Sequence, residues 1–264
     1  MFFSETLATI QATDGGWTAE VGEDWFQGRA IFGGMVAALG NEAMRRLVPR
    51  ERPLRALETV FVGPLLPGKV QLRAEILRAG KSVTLASARL FSAGELVTTL
   101  TGIYGASREV AITLEPKPPQ GIVSAAAVPD TPMNPDGRIP TFVQHFVHRF
   151  VEGARPFSGT ALSHSKVYFR HKDKGPFSES HLVALIDCIP PPLLQMMNKF
   201  VPNSSLTWTL EFLRHEYDYP CEAFWRIDTE VKGAGEGYSQ ESSLVLDPMG
   251  RPAVLSRQLV AVFG

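Results

Sequence analysis

The chain has 264 residues, of which 44% are hydrophobic and 20% charged, so it can bury a full globular core in one large or two small domains. Its formal net charge is -1 and its basic residues are scattered, which gives no electrostatic argument for a nucleic acid partner or an anionic membrane. Apolar runs fall short of the roughly 20 residues of a membrane-spanning helix, and the first residues lack a signal-peptide pattern.

The cysteine and histidine content argues against disulfides and metal sites. The two cysteines, Cys188 and Cys221, are typical of reduced thiols, so we expect a cytoplasmic protein. The six histidines show no metal-binding spacing with these cysteines. We therefore expect no metal and no other cofactor.

The first half of the chain contains one predicted helix followed by strands. A glycine pair, Gly33 and Gly34, precedes apolar residues at helical spacing over residues 35–48. Because most faces of this helix are small or apolar, we expect it to be buried. The spacing then changes to alternation, which predicts antiparallel strands over residues 57–62, 70–77, 83–91 and 96–104.

A proline-rich stretch divides the chain. Seven prolines lie between positions 108 and 140, where long apolar residues become sparse. Such a composition is typical of a linker that runs over the surface. We therefore predict an N-terminal unit over residues 1–110, a linker over 111–140 and a C-terminal unit over 141–264.

The C-terminal unit repeats the organisation of the first. A strand-rich lead-in over residues 146–168 precedes an apolar helical pattern that contains Asp187. Alternating segments then predict strands over residues 206–213, 224–231, 238–246 and 253–263. Two tandem copies of lead-in, buried helix and antiparallel sheet predict an α+β fold in which each sheet wraps its own helix.

Asp187 is the most informative single residue in this pattern. An ionised carboxylate inside an apolar helix is costly unless it is paired or hydrogen-bonded. It could therefore belong to an active site. It could equally be a buried Asp that caps a neighbouring loop, or lie on the wet side of its helix.

The duplicated helix-and-sheet pattern resembles the double hot-dog fold. The sequence Arg29-Ala30-Ile31-Phe32-Gly33-Gly34, which leads into a helix of small residues, looks like the corresponding motif of acyl-CoA thioesterase II and its thioesterase-like relatives. The similarity covers nearly the whole chain outside the linker. It implies an acyl-CoA substrate, and hydrolysis of the thioester to free acid and CoA.

The resemblance also assigns site residues. Family members use an Asp, a Thr or Ser, and a Gln from the second hot-dog to hold the attacking water. These positions fall on Asp187, Ser205 and Gln258, with Thr207 as an alternative hydroxyl. Ser205 stands where Thr is more usual in the family.

The glycine pair is the expected substrate-binding element, together with the residue that follows it. Gly33, Gly34 and Met35 would let a ligand approach the backbone and offer N–H groups to a developing oxyanion. Met35 stands where the family often has Gln. A simpler alternative is that the two glycines only form the turn into the helix.

Alignment of the two halves predicts a single site per chain. The first half has Leu54 where the second has Ser205, and about Thr99 where the second has Gln258. Without the resemblance, Gln258 would be interpreted as a solvent-facing strand residue and Ser205 as a turn residue.

Two other functions stay open at this stage. A hot-dog hydratase acting on enoyl-CoA would typically pair the Asp with a His, and no His is placed with Asp187. A non-catalytic acyl-CoA-binding protein is the second alternative. Because hot-dog sheets have exposed edges, the fold analogy predicts a homo-oligomer.

Overall fold

The computed structural model describes residues 1–132 and 139–263. Six residues of the predicted linker, 133–138, lie outside the described residues, as does position 264 of the predicted C-terminal unit.

The helices are short apart from the one that follows the glycine pair. They are α1 (Phe3–Ala8), α2 (Gly33–Arg45), α3 (Glu179–Ile186) and α4 (Pro192–Met196). Short 3₁₀ turns lie at Glu23–Trp25, Ala125–Ala127 and Thr141–His145.

The strands fall into two groups separated by the proline-rich segment. The first group is β1 (Gln11–Thr13), β2 (Gly16–Val21), β3 (Phe26–Gln27), β4 (Ala30–Ile31), β5 (Leu54–Phe61), β6 (Gly68–Ala79), β7 (Val83–Ser92) and β8 (Glu95–Gly105). The second is β9 (Phe146–Glu152), β10 (His164–His171), β11 (Asn203–Phe212), β12 (Trp225–Gly235), β13 (Tyr238–Leu246) and β14 (Pro252–Val262).

Twelve of these strands form one antiparallel sheet in the order β1-β2-β6-β7-β8-β5-β11-β14-β13-β12-β10-β9, while β3 and β4 pair separately. The order is the same in each half when it is followed inwards from the edge. The predicted α+β duplication is thus confirmed. The strands of the two halves form one continuous sheet, because β5 of the first half pairs with β11 of the second.

Helices α2 and α3 lie against each other and against this sheet. Helix α2 packs antiparallel to α3, and ten of its thirteen residues are buried. Its small residues allow this close packing, and its apolar side chains join a core shared by both halves. The helix begins at Gly33, two residues earlier than predicted, and ends at Arg45, before the predicted end at residue 48.

Asp187 lies at the end of its helix, which corrects the prediction that it lies inside. Ser178 caps the N-terminus by accepting a hydrogen bond from the His181 N–H, and the helix ends at Ile186 with Asp187 as its C-cap. Proline at position 190 and beyond lacks the N–H that would continue the helix, and it disfavours helical geometry in the residue before it. The carboxylate therefore projects from a helix terminus.

Matching β-bulges fix the equivalence of the two halves. The pairing of β5 with β8 shifts at Arg55, and the pairing of β11 with β14 shifts at Leu206. Leu54 is thus equivalent to Ser205, as predicted. The equivalent of Gln258 is Gly102 and not Thr99, because Leu54 pairs with Tyr104 and Ser205 pairs with Val260, and the two positions lie two residues before these partners.

Candidate active site

One side-chain amide links the two other residues predicted for the site. The Nε2 of Gln258 donates a hydrogen bond of 3.0 Å to Oδ1 of Asp187 and one of 2.7 Å to Oγ of Ser205. The three residues come from β14, the end of α3 and the start of β11. The structure therefore brings together residues that are up to 71 positions apart in the sequence.

Strand alternation and a bulge explain why these groups face inwards. On β14, Val254, Ser256 and Val260 are buried, so Gln258 lies on the same inner face. The bulge at Leu206 resets the alternation of β11 and lets Ser205 share that face with the buried Trp208.

The alternative hydroxyl, Thr207, is exposed. It lies between the bulge and Trp208, on the other face of β11 from the inward-facing side chains. The structure does not bring Thr207 into the cluster with Gln258.

The N-terminus of α2 forms the other wall of the site. A Cβ added to Gly33 would lie 2.8 Å from Oδ2 of Asp187, and one added to Gly34 would lie 2.6 Å from the Ala184 carbonyl oxygen. The glycine pair therefore does more than form a turn, because it allows the α2 backbone to approach both the carboxylate and α3.

Met35, the third predicted substrate-binding residue, has neither its side chain nor its backbone N–H available to a ligand. Its side chain is fully buried, and its backbone N–H donates to the carbonyl of Phe32. The N–H of Gly33 makes no hydrogen bond within the described residues, which leaves it as the donor at this helix end.

The environment of Asp187 raises the pKa of its carboxyl, so that the group is near the midpoint of its titration at neutral pH. Burial raises its pKa to about 7, while hydrogen bonds from Gln258 and from the Gly34 backbone lower it. The residue retains some solvent access, so the apolar surroundings and not complete enclosure cause the shift. A carboxyl with such a pKa can accept a proton at neutral pH.

A second acidic residue, Glu241 on β13, was missed in the sequence analysis. It pairs directly with Gln258 across the ladder, and it is buried with 6% of its surface exposed. Its pKa is raised to about 7, chiefly by burial. Strict alternation in the correctly predicted strand 238–246 places an acid on the inner face, which is the signal that could have identified it.

Cys188, next to Asp187, is an unreactive thiol. Its Sγ lies 3.6 Å from the Ala184 carbonyl oxygen, and burial raises its pKa well above the usual range. The expectation of a buried, inert cysteine agrees with this geometry.

The equivalent position in the first half holds a closed hydrogen-bond network. Asn41 lies eight residues after the start of α2, as Asp187 does after the start of α3. Its Nδ2 donates to Glu179 at 3.0 Å, its Oδ1 accepts from Tyr104 at 3.0 Å, and Arg45 also donates to Glu179. Asn41 stands at the position of Asp187 and Leu54 at the position of Ser205, so the first half has no carboxylate and no hydroxyl at these two positions.

Two further features bear on the kind of protein. In residues 1–132 and 139–263, no helix is long and apolar enough to cross a membrane. Within the same residues, no group of three or more His, Cys, Asp or Glu side chains could hold a metal ion.

Comparison of the sequence with known families assigns this chain to a class of enzymes. Residues 123–262 match the acyl-CoA thioesterase C-terminal domain, and residues 21–105 match the acyl-CoA thioesterase N-terminal domain. The chain therefore belongs to the acyl-CoA thioesterase family, which confirms the predicted resemblance and the predicted enzyme class, a thioester hydrolase. No curated protein matches the sequence.

Solved structures share the architecture over nearly the whole chain. A protein of unknown function with a hot-dog fold from Alicyclobacillus acidocaldarius is 20% identical, with a TM-score of 0.86 and coverage of 99% of this chain and 98% of that one. An acyl-CoA thioesterase II from Mycobacterium marinum is 15% identical, with a TM-score of 0.78 and 98% of each chain covered. At these identities the likeness establishes the hot-dog fold alone.

Proposed function

We propose that this protein hydrolyses an acyl-CoA thioester to the free acid and CoA, using a water held by Asp187, Ser205 and Gln258. The observation that carries the proposal is the pair of hydrogen bonds from one Gln258 amide to the carboxylate and the hydroxyl. They fix a proton acceptor and a hydroxyl around one small polar site on the inner face of the sheet.

In the proposed reaction the water oxygen attacks the thioester carbonyl carbon. Asp187 takes a proton from the water, the new C–O bond forms, and the carbonyl oxygen becomes an oxyanion. The Gly33 N–H at the positive end of α2 is the proposed donor to that oxyanion. The oxyanion then re-forms the carbonyl as the C–S bond breaks, and the departing CoA thiolate takes up the proton held by Asp187, which restores the carboxylate.

Ser205 and Gln258 position the water without exchanging protons with it, and Gln258 does so by fixing Asp187 and Ser205. A hydroxyl and an amide can both donate and accept hydrogen bonds, and neither titrates in the physiological range. Fixing the water beside the thioester removes the entropic cost of bringing the two reactants together.

A small apolar cluster is the proposed contact for the acyl chain. It continues along the inner face of β14 beyond Gln258. Its members are Val201, Val260 and Val262, with Phe157, Leu193 and Met197 packed against them. Apolar walls next to a few polar groups are typical of sites for small acyl ligands.

The hydratase alternative lacks support at this site. Hydration of an enoyl-CoA would need a His beside Asp187, yet the nearest candidate in sequence, His181, bonds to Ser178 and lies 3.5 Å from Asp173. The non-catalytic alternative would leave the hydrogen-bonded Asp187 without a chemical role.

A thiol-release assay over acyl-CoAs of different chain length tests the proposal. We expect release of CoA from at least one substrate, and no change in the absorbance of the crotonyl-CoA double bond. Tight binding of acyl-CoA without thiol release across the panel would support the non-catalytic alternative instead.

The cellular setting and assembly are part of the same proposal. The sheet ends in the edge strands β1, whose residues are all exposed, and β9. Unpaired strand edges favour association, so we propose a homo-oligomer in the cytoplasm. We also retain the division into units 1–110 and 141–264 joined by the linker 111–140.

A further inference from the structure

The inner face of the sheet carries a carboxyl group that the proposed hydrolysis does not use. Glu241 lies directly opposite Gln258 in the antiparallel ladder, and such cross-strand side chains on one face have Cβ atoms only about 4.5–5.5 Å apart. Its Oε1 accepts a 3.1 Å hydrogen bond from Ser239, two residues earlier on the same strand. Gln258 thus lies between two acids, Glu241 and Asp187.

No cation neutralises this pair of acids in residues 1–132 and 139–263. The other neighbour of Glu241 in the sheet is Val231 on β12, and the charged group that acts on Glu241 is Asp187. Two buried carboxylates close together without a cation do not both ionise readily, because each charge disfavours the other. One of them must therefore remain neutral over part of the neutral pH range.

The hydrogen bonds decide which acid ionises first. Asp187 has the Gln258 amide, the Gly34 backbone N–H and the positive end of α2 to stabilise its charge. Glu241 has one hydroxyl donor, from Ser239. The negative charge consequently resides on Asp187, and that charge raises the pKa of Glu241 further.

The orientation of the Gln258 amide leaves its carbonyl oxygen as an acceptor for a neutral Glu241. Its NH₂ group is used by Asp187 and Ser205, so its carbonyl oxygen is directed elsewhere. A protonated carboxyl can donate a hydrogen bond to that oxygen. An ionised carboxyl can only accept, and would compete for the NH₂ group.

We propose that Glu241 is a positioning residue of the proposed hydrolysis, which as a neutral acid holds the Gln258 amide in the orientation that binds Asp187 and Ser205. This inference rests on the proposed function. It predicts that ionisation of Glu241 at higher pH turns the amide away and lowers the rate, in addition to the loss of rate at low pH when Asp187 is protonated.

The first test is infrared titration of the carboxyl groups without substrate. We expect two protonated carboxyl bands that titrate near neutral pH, of which the one with the higher midpoint belongs to Glu241 and is missing from Glu241→Gln. In Asp187→Asn the midpoint of this band should move to lower pH, because the neighbouring charge is gone. A Glu241 band that titrates below about pH 5 in the wild type, near the ordinary value for Glu, would overturn the inference whether or not the protein hydrolyses thioesters.

The second test is the pH profile of kcat/KM for thiol release. We expect a bell shape in the wild type and loss of the high-pH decline in Glu241→Gln, because Gln keeps a donor and does not ionise. Glu241→Met, which fills similar space without a donor, should lower kcat about tenfold at every pH, as expected for an unpaired polar group in the site.

A matched control is Glu211→Gln on the exposed face of β11, which should keep the wild-type profile. A Glu241→Gln profile that keeps the same shape as the wild type would overturn the inference, since a merely structural role changes the rate equally at all pH values. Absence of thiol release from the wild-type protein would instead contradict the proposed function, and the infrared titration would still decide the charge state of Glu241.

Discussion

Gln258 donates both hydrogens of its amide to partners inside the candidate site, one to Asp187 and one to Ser205. Its replacement by Leu would keep the volume but release both partners at once. We expect kcat to fall by about 10²-fold or more, as is typical when a group that orients reactants is lost. Thiol release by Gln258→Leu measures this, with Gln240→Leu on the opposite face of β13 as the control. Equal rates for the two variants would contradict the assignment.

The raised pKa of Asp187 also affects stability. The group titrates near 4 in the unfolded chain and at about 7 in the fold, so between these values the folded state binds more protons. The free energy of unfolding therefore falls as pH rises from about 4 to about 7. Asp187→Asn should remove this contribution and be more stable than the wild type at pH 8, with the difference vanishing near pH 4.

Urea unfolding at pH 4 and pH 8 measures this difference. Glu241 contributes in the same direction, so some pH dependence should remain in the variant. A variant that is less stable than the wild type at pH 8 would show that the charge of Asp187 is compensated in the fold.

At the scale of elements, the contact between α2 and α3 sets the geometry of the site. Gly34 lies against the backbone of Ala184, where a methyl group has no room, while Gly33 lies against the side chains of Asp187 and Phe61. Gly34→Ala should destabilise the protein by about 1–3 kcal/mol through overpacking. Gly33→Ala should affect activity more than stability, because the added methyl group meets side chains and not backbone and would displace the carboxylate of Asp187 from its position.

Chemical unfolding and thiol release together separate these two effects. Gly15→Ala is the matched control, since an added Cβ there meets nothing within 4 Å. Gly34→Ala with wild-type stability would show that the helices can separate without cost.

The limits of sequence reasoning are visible in the same elements. Alternation and turn residues were sufficient to predict the four strands that follow α2 and the four that follow α3, and β13 was predicted with its observed bounds. The end of α3 was not predicted correctly, because the apolar helical spacing in the sequence continues past Ile186. The prolines that follow stop the helix earlier, since a proline disfavours helical geometry in the residue before it. Bulges such as the one at Leu206 depend on pairing across the sheet, which the local pattern does not record.

At the scale of the whole molecule, the duplication places one cluster in each half, and only one of them has the proposed catalytic groups. The first-half cluster is closed by the ion pair of Arg45 with Glu179 and by the Tyr104 hydroxyl on Asn41. We expect one CoA bound per chain in isothermal titration calorimetry. Two equivalent sites per chain would contradict this interpretation.

The candidate residues could be found from the sequence because the duplicated pattern resembles a known family, and not because their chemistry is visible locally. Gln258 looks like an ordinary strand residue and Ser205 like a turn residue until the sheet places them on one face. Glu241 was missed for the same reason, since its importance comes from its neighbour across the ladder. Predicting such a site requires the register of the strands as well as their existence.

The central claim is that Asp187 activates the water that cleaves the thioester. The most direct test is the rate of CoA release by Asp187→Asn at pH 8 on the best substrate of the wild type, in protein whose thermal unfolding shows an intact fold. We expect release to fall by at least about 10³-fold, because the amide cannot accept the proton. A variant that keeps most of the wild-type rate would contradict it.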